Sequence, residues 1–324
     1  MKTFFILTGG LVAIVICTLA GMIAFGTGNP PPPLASMNGP FEKVDFSDLP
    51  TVQTIPSNNG SPIAFREWKN ASTGEPELTL ILIHGSSGSS TSLHPLARAL
   101  SAEGIFVYAP DIRGHGHTGR KGDIDYAEQL DDDFRTLLAD VKARQPRSRL
   151  VLAGFSAGGG FALHAAALPL GKSFERAVLI SPMLGVRAPT VGPSGNAWAK
   201  PFIPRILALL VLNRIGIHAF DHLPALAFAI PPERADILTG EYSWRLLRAF
   251  YTADYFADLK MAPMPIHVLV GEKDELFSAE RFEPTIHAAR PHAKVTVVPA
   301  LNHTEMTTDP RAVPALVAAV RGGA

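Results

Sequence analysis

The sequence has 324 residues, 47% of them hydrophobic, which is enough for one large domain or two small ones with a sizeable buried core. Its 29 basic and 29 acidic residues give a formal net charge of zero, which argues against a nucleic-acid-binding protein. Cys17 is the only cysteine, which excludes a disulfide within the chain and a structural zinc site built on several cysteines.

The chain begins with an uncharged apolar run. Residues 4–25 contain no charge, and Lys2 precedes them. About 20 apolar residues can cross a bilayer, whereas the apolar core of a secretory signal has about 7–15. We predict a membrane anchor over residues 1–27, with signal cleavage after residues 18–20 as the alternative. Because the positive charge comes first, both alternatives place the rest of the protein outside the cytoplasm.

A proline-rich stretch separates this run from the rest of the chain. Residues 28–40 include consecutive prolines at 30–33, which favour a stiff, extended linker. We expect the folded domain to occupy residues 41–324.

The folded domain alternates short apolar runs with helical patterns, as in βαβ units and a mainly parallel sheet. The amphipathic residues 93–100 and 126–141 are predicted as helices. Continuously apolar runs are predicted as strands buried on both faces, at residues 78–83, 105–109, 150–153, 177–180, 266–270 and 295–298. In such sheets ligands bind beyond the carboxyl ends of the strands.

Residues 184–254 break the alternation and contain no strand-like run. Their apolar stretch at 202–217 is interrupted by Arg205 and Arg214, so it is too broken for a second membrane span. We predict that this segment is an inserted helical cap.

The sequence Gly154-Phe155-Ser156-Ala157-Gly158 matches the G-x-S-x-G nucleophile elbow. It lies between a predicted strand and a helix-like run, which is the context that the motif requires. Glycines suit the sharp turn, which aims the serine hydroxyl away from the sheet. We predict that Ser156 is a nucleophile.

A serine hydroxyl is a weak nucleophile unless a base takes its proton. Asp274 and His303 each follow a predicted strand, in the order of acid before base that accompanies this elbow. We predict that His303 is the general base and that Asp274 holds its imidazole. Glu272 and Glu275 flank Asp274 and are alternatives for the acid.

An oxyanion hole needs two backbone N–H groups aimed at the developing negative charge. Ala157 follows the nucleophile and is predicted to supply one of them. Ser86, in the glycine-rich loop after the strand at 78–83, is predicted to supply the other.

These residues, together with His84-Gly85 and the sequence Asp-Ile-Arg-Gly-His-Gly-His-Thr at 111–118, resemble the α/β-hydrolase superfamily. The nearest branch holds monoacylglycerol lipases, lysophospholipases and serine aminopeptidase-like hydrolases, and the resemblance covers residues 61–320. It implies the α/β-hydrolase fold and catalysis without a cofactor. The branch usually has serine at the position of Thr118 and often a small apolar residue at the position of Ser86.

The histidines at 115 and 117 are close enough in sequence to suggest a zinc site. The sequence offers no third cluster of ligands, so we predict no metal and a loop-shaping role for this stretch.

The cap segment is rich in apolar side chains, and we expect some of them to line an acyl pocket. The candidate substrate contacts are Trp198, Phe202, Leu209 and Phe220. Together with the predicted anchor, this pattern favours hydrolysis of carboxylic esters with lipid-like acyl groups through an acyl-serine intermediate. A phospholipid, a lysophospholipid or a monoacylglycerol would fit.

Three alternatives remain: amide or peptide cleavage, acyl transfer, and a non-catalytic binding protein of the same fold. An acidic cap pocket for a substrate amine would favour peptide cleavage, with Glu233, Asp236 and Glu241 as its candidates. Binding proteins of this fold usually lack one of the three catalytic residues, whereas all three are present here in order.

Overall fold

The computed structural model describes residues 2–69, 75–192 and 197–323, with side chains from residue 10 onward. Its strands are β1 (Gln53–Pro56), β2 (Pro62–Trp68), β3 (Leu78–Ile83), β4 (Phe106–Pro110), β5 (Arg149–Phe155), β6 (Arg176–Ile180), β7 (Ala199–Pro201), β8 (Pro224–Phe228), β9 (Glu241–Ser243), β10 (Ile266–Gly271) and β11 (Lys294–Val298). Its helices are α1 (Lys2–Phe25), α2 (Ala35–Asn38), α3 (His94–Ala102), α4 (Gln129–Arg144), α5 (Ala157–Ala167), α6 (Ile203–Arg214), α7 (Trp244–Phe250), α8 (Tyr255–Met261), α9 (Ala279–Ala289), α10 (Glu305–Thr308) and α11 (Val313–Arg321).

Within the described ranges, eight strands form one sheet in the order β1-β2-β4-β3-β5-β6-β10-β11. The pairs β1–β2 and β2–β4 are antiparallel, and the strands from β4 to β11 pair in parallel. The predicted mainly parallel sheet is therefore confirmed, with an antiparallel edge that the sequence did not predict.

Strand β3 shows why the apolar runs became central strands. All six of its residues are buried, because helices cover both faces of the sheet. Leu80 and Leu82 lie in a core with residues of α3 and α11, whereas Ile81 and Ile83 lie in a second core with residues of α4 and α5. The alternation of β3 side chains between two cores explains its unbroken hydrophobicity.

The cap segment, residues 184–254, is inserted between β6 and β10 and contains α6 and α7. Among its described residues, β7, β8 and β9 also form a small antiparallel sheet in that order. The inserted cap with helices is therefore present, and its small sheet was not predicted from the sequence. These strands have only three to five residues, and apolar runs of that length cannot be distinguished from the surrounding helical pattern in the sequence.

The N-terminal helix α1 is present, but the expected membrane anchor finds no support in the fold. In the part of the chain that the structure describes, no helix is both long and apolar enough to span a bilayer. The last turn of α1 packs on the cap, where Ile23 lies in a buried cluster with Leu209 of α6. Arg205 fixes this contact, because its Nε donates to the Ile23 carbonyl at 2.9 Å.

The end of the proline-rich stretch packs between the cap and the sheet domain. The backbone N–H of Leu34 donates to the carbonyl of Ala229 in the cap at 3.3 Å. The carbonyl of Met37, in α2, accepts a 3.3 Å hydrogen bond from the Thr304 hydroxyl, next to His303. This segment therefore forms one wall beside the predicted catalytic histidine.

Candidate active site

Ser156 lies at the turn between β5 and α5, with a φ of 54° that places it in the left-handed region. The two neighbouring glycines make this turn possible. A Cβ at Gly154 would lie 2.0 Å from the Gly158 carbonyl oxygen, and a Cβ at Gly158 would lie 2.2 Å from the His84 carbonyl oxygen. The structure thus gives the G-x-S-x-G sequence the strained strand-to-helix turn that the motif requires.

Asp274 and His303 lie in the loops after β10 and β11 and are hydrogen-bonded to each other. His303 Nδ1 is 2.8 Å from Asp274 Oδ2, and both side chains are fully buried. The other oxygen of Asp274 accepts hydrogen bonds from the backbone N–H groups of Leu276 and Phe277, each at 3.0 Å. These bonds fix the carboxylate so that His303 carries its proton on Nδ1.

The neighbouring glutamates have other partners. Glu272 accepts a hydrogen bond from the backbone N–H of Ala300 at 2.8 Å. Glu275 accepts one from the backbone N–H of His303 at 3.0 Å. Of the three acids in this loop, Asp274 therefore is the one that meets the imidazole.

The second nitrogen of His303, Nε2, is buried between aromatic rings. It makes no hydrogen bond with any residue that the structure describes, Ser156 included. The rings of Phe155 and Phe277 lie 4.7 and 5.2 Å from the imidazole, measured between centroids. Since Nδ1 carries the proton, Nε2 has a free lone pair, and hydrogen bonds of this kind often form only when substrate is bound.

Ser156 opens into a cavity that also contains both residues predicted for the oxyanion hole, Ser86 and Ala157. This Ser156 cavity holds about 500 Å³ of space between atoms, part of it open to solvent. Its remaining walls are mainly apolar and come from Met183, Val186, Val191, Trp198, Ala199, Tyr251, Leu276 and Phe277. Ser156 and the two residues predicted to supply the backbone donors thus line one cavity with mainly apolar walls.

A second cavity of about 520 Å³ lies on the other side of the loop that carries Ser86. The residues from Gly85 to Gly88 form one wall, and Met37, Asn38 and Phe41 of the N-terminal segment form another. Ser86 and Trp198 border both cavities. The predicted oxyanion residue Ser86 is therefore part of a wall that the two cavities share.

Only one of the four cap residues predicted to contact substrate lines these cavities. Trp198 lines both, whereas Phe202, Leu209 and Phe220 line neither. Leu209 is fully buried in the cluster that α1 covers, Phe202 is buried in the cap, and Phe220 is 41% exposed at the surface. The structure therefore places none of these three residues at the cavities, and for Leu209 the reason is that α1 covers its face of α6.

Tyr251 is a residue of the cavity that the sequence analysis missed. Its side chain lines the Ser156 cavity together with Ser86, and burial raises its pKa, so the hydroxyl keeps its proton. No local motif marks this tyrosine, since the cavity joins positions far apart in the chain.

The residues at 111–118 form a tightly bonded loop. Asp111 accepts hydrogen bonds from the backbone N–H groups of Ser90 at 2.7 Å and His117 at 2.9 Å. Gly116 lies against this carboxylate, with a φ of 50° and no room for a Cβ. His115 is fully buried and bonds to Ile112 and Tyr242, so both of its ring nitrogens have protein partners.

This combination of fold and site defines an α/β hydrolase: a mainly parallel sheet, a serine on a strand-to-helix elbow, and an acid–histidine pair after later strands. The chain belongs to the family described as serine aminopeptidase, S33, which matches residues 74–310.

Relatives of known name agree with this family. The chain is 31% identical over 214 residues to a monoacylglycerol lipase of Mycolicibacterium smegmatis, which covers 62% of this chain and 72% of that protein. It is 28% identical over 175 residues to human monoglyceride lipase, which covers 53% of this chain and about half, 54%, of the human protein. The predicted resemblance to the monoacylglycerol lipase branch is therefore confirmed.

Solved structures show the same fold. A soluble variant of monoglyceride lipase from Saccharomyces cerevisiae superposes with a TM-score of 0.64 at 17% identity, over 85% of this chain and 95% of that one. An esterase of Pyrococcus furiosus gives a TM-score of 0.56 at 16% identity, over 91% of this chain and 99% of that one. The chain is thus a hydrolase of the α/β-hydrolase superfamily.

Proposed function

We propose that this protein hydrolyses carboxylic esters with apolar acyl groups through an acyl-serine intermediate on Ser156. The observation that carries the proposal is the Ser156 cavity, in which the nucleophile, Ser86 and Ala157 face walls that are mainly apolar. An acyl chain would lie against these walls, as expected for a site that binds a largely hydrophobic ligand. The similarity to a monoacylglycerol lipase supports a lipid-like ester as the substrate.

The proposed reaction uses the tautomer that Asp274 imposes. His303 Nε2 takes the proton of the Ser156 hydroxyl while its oxygen attacks the ester carbonyl. The backbone N–H groups of Ser86 and Ala157 donate to the resulting oxyanion. The C–O bond to the alcohol then breaks, His303 returns the proton to the leaving alcohol, and a water molecule releases the acid by the same steps.

The positions of the acidic residues argue against peptide cleavage. Glu233, Asp236 and Glu241, the candidates for binding a substrate amine, are all exposed and line neither of the two cavities. Among the described residues that line these cavities, none is acidic. A free amine would therefore find no counter-charge beside Ser156, which favours ester over aminopeptidase substrates.

The test is a substrate series with the purified full-length chain. We expect turnover of p-nitrophenyl esters, with a preference for medium or long acyl chains, and no turnover of aminoacyl p-nitroanilides. Ser156→Ala should remove the ester activity. Equal rates for the wild type and Ser156→Ala on every ester would overturn the proposal, and turnover of the anilides alone would support peptide cleavage.

We also propose that the catalytic domain is exported. The support is the sequence itself, in which Lys2 precedes the uncharged residues 4–25. Protease added to cells whose wall has been removed, but whose membrane is intact, should digest the domain. The mass of the mature protein distinguishes a cleaved signal from a retained helix, and a domain protected from protease until lysis would contradict export.

A further inference from the structure

The loop after β3, residues 84–88, is hydrogen-bonded to the cap through Ser86 and Ser87. We call it the oxyanion loop, since it carries Ser86. The backbone N–H of Ser87 donates to the Tyr242 hydroxyl at 2.8 Å, and the Ser87 hydroxyl donates to the Thr239 carbonyl at 2.8 Å. The Ser87 carbonyl accepts from the Thr239 N–H at 2.8 Å, and Trp198 Nε1 donates to the Ser86 hydroxyl at 3.0 Å.

Ser87 needs these bonds because of its backbone conformation. Its φ of 66° lies in the left-handed region, which a non-glycine residue holds only when its surroundings fix it. Ser87 and its partner Tyr242 are both fully buried, so each unpaired polar group would be costly. The conformation of the oxyanion loop therefore depends on cap residues.

The Tyr242 hydroxyl joins this loop to the buried His115 with a fixed direction of hydrogen bonding. His115 Nδ1 lies 3.0 Å from the Ile112 carbonyl oxygen, which can only accept, so Nδ1 carries the proton. The Nε2 of His115 is then an acceptor, and the Tyr242 hydroxyl donates to it while accepting from Ser87. Burial lowers the pKa of His115 well below its ordinary value, which keeps the imidazole neutral and able to accept.

The start of the oxyanion loop is hydrogen-bonded to Ile112, which is also a partner of His115. His84 Nε2 accepts from the Ile112 N–H at 3.0 Å, and its Nδ1 then donates to the Gly85 carbonyl at 2.8 Å. The rings of His84 and His115 lie 4.8 Å apart. One end of the loop is thus fixed through His84, which contacts Ile112 and His115. The other end is fixed through the bond from Ser87 to Tyr242.

We infer that Tyr242 positions the oxyanion hole: its hydroxyl, bonded to Ser87 and His115, holds the oxyanion loop so that the Ser86 N–H is aimed at the substrate carbonyl. Tyr242 does not line the Ser156 cavity, so it acts through the loop and is not itself a catalytic residue. This inference rests on the proposed function, since it assumes that Ser86 is an oxyanion donor. It makes the cap part of the catalytic apparatus, because a displaced cap would release the loop.

The experiment compares Tyr242→Phe with Tyr108→Phe in the full-length chain. Tyr108 is a matched control, because it is an equally buried tyrosine of β4, and its ring contacts among the described residues, Phe65 and Phe106, lie outside the oxyanion loop. We expect Tyr242→Phe to lower kcat for p-nitrophenyl esters about 10- to 100-fold, with KM changed less than about twofold. Its affinity for a trifluoromethyl ketone, which forms a tetrahedral adduct with the serine, should fall by a similar factor.

Tyr108→Phe is expected to lower Tm while it leaves kcat and ketone affinity unchanged. A second variant, Ser87→Gly, removes the hydroxyl bond to the Thr239 carbonyl, keeps the backbone bonds and relieves the left-handed strain, so it should fold even if Tyr242→Phe does not. It should lower kcat with little change in Tm.

Wild-type kcat in both Tyr242→Phe and Ser87→Gly would overturn the inference, as would an equal loss of kcat in Tyr242→Phe and Tyr108→Phe. Failure of the proposed function gives a different result, because Ser156→Ala would then be as active as the wild type.

Discussion

His303 Nδ1 lies 2.8 Å from Asp274 Oδ2, with both side chains fully buried. The carboxylate therefore fixes the tautomer that leaves Nε2 free to take a proton. In Asp274→Asn the amide can present its N–H group to Nδ1, which would favour the wrong tautomer. We expect a loss in kcat of about 10⁴-fold with a nearly unchanged KM, measured on the best p-nitrophenyl ester.

Glu272→Gln is the matched control for this variant. Glu272 belongs to the same loop and accepts only the Ala300 N–H among the bonds described, which a glutamine oxygen can also accept. Its kcat should stay within about twofold of the wild type. An inactive Glu272→Gln beside an active Asp274→Asn would mean that the acid has been assigned to the wrong residue.

Gly158 is required by the close approach of the elbow to the oxyanion loop. A Cβ at this position would lie 2.2 Å from the His84 carbonyl oxygen and 2.6 Å from that of Ile83. Because both contacts are with backbone, the clash cannot be relieved by a side-chain rotation. We expect Gly158→Ala to cost about 3 kcal/mol or more in the free energy of unfolding, or to prevent folding.

Thermal unfolding of Gly21→Ala provides the comparison. Gly21 lies within α1, and a Cβ there would meet no atom within 4 Å. Its Tm should be unchanged or slightly higher. If Gly158→Ala unfolded at the wild-type temperature, the close packing of the elbow described here would be wrong.

The central strands were predictable because burial on both faces leaves a continuous apolar run. Strand β3 was predicted with its observed bounds, residues 78–83. The two antiparallel strands β1 and β2 were missed, since Arg66 and Glu67 break the apolar pattern of β2 and prolines occupy positions in both. Local sequence thus identifies the parallel strands, whose apolar runs are continuous, and loses the antiparallel pair, whose sequences are mixed.

The elbow, the acid and the histidine could be proposed from sequence because each follows a strand in a fixed order. The bond between His115 and Tyr242 could not, because it joins residues 127 positions apart. Leu209 was assigned to the substrate pocket for a similar reason. Its apolar side chain indicates burial, but the sequence does not show that α1 is the element that covers it.

His164 couples stability to pH through two carboxylates. Its Nε2 lies 3.2 Å from Asp131 and its Nδ1 3.8 Å from Asp258, so it links α5 to α4 and α8. Hydrogen bonds to these acids raise the pKa of His164 to about 9. Because the folded-state pKa exceeds the unfolded value of about 6.5, the stabilisation is fully present below pH 6.5 and is lost as the pH rises through about 9.

We therefore expect His164→Gln to lower the free energy of unfolding by about 1–3 kcal/mol at pH 6, less than the full pKa difference implies because the imidazole is 30% exposed. Urea unfolding at pH 6 and pH 10 measures the effect, which should be much smaller at the higher pH. The exposed His292 gives the control, since His292→Gln should change stability little at either pH. If His164→Gln lowered the free energy of unfolding equally at both pH values, packing and not charge would be the cause.

Val191 and Leu209 lie at two different places where an acyl chain could bind, the Ser156 cavity and the apolar cluster beneath α1. Val191 lines the cavity beside Phe277, its β-bridge partner, so Val191→Phe should shorten the space available to an acyl chain. We expect the ratio of kcat/KM for palmitoyl to acetyl p-nitrophenyl esters to fall about 10-fold or more. Leu209→Ala should cost about 2–5 kcal/mol in stability, because it opens a cavity beneath α1, and leave that ratio unchanged. The reverse pattern, in which only Leu209→Ala alters the chain-length preference, would place the acyl chain beneath α6 rather than in the Ser156 cavity.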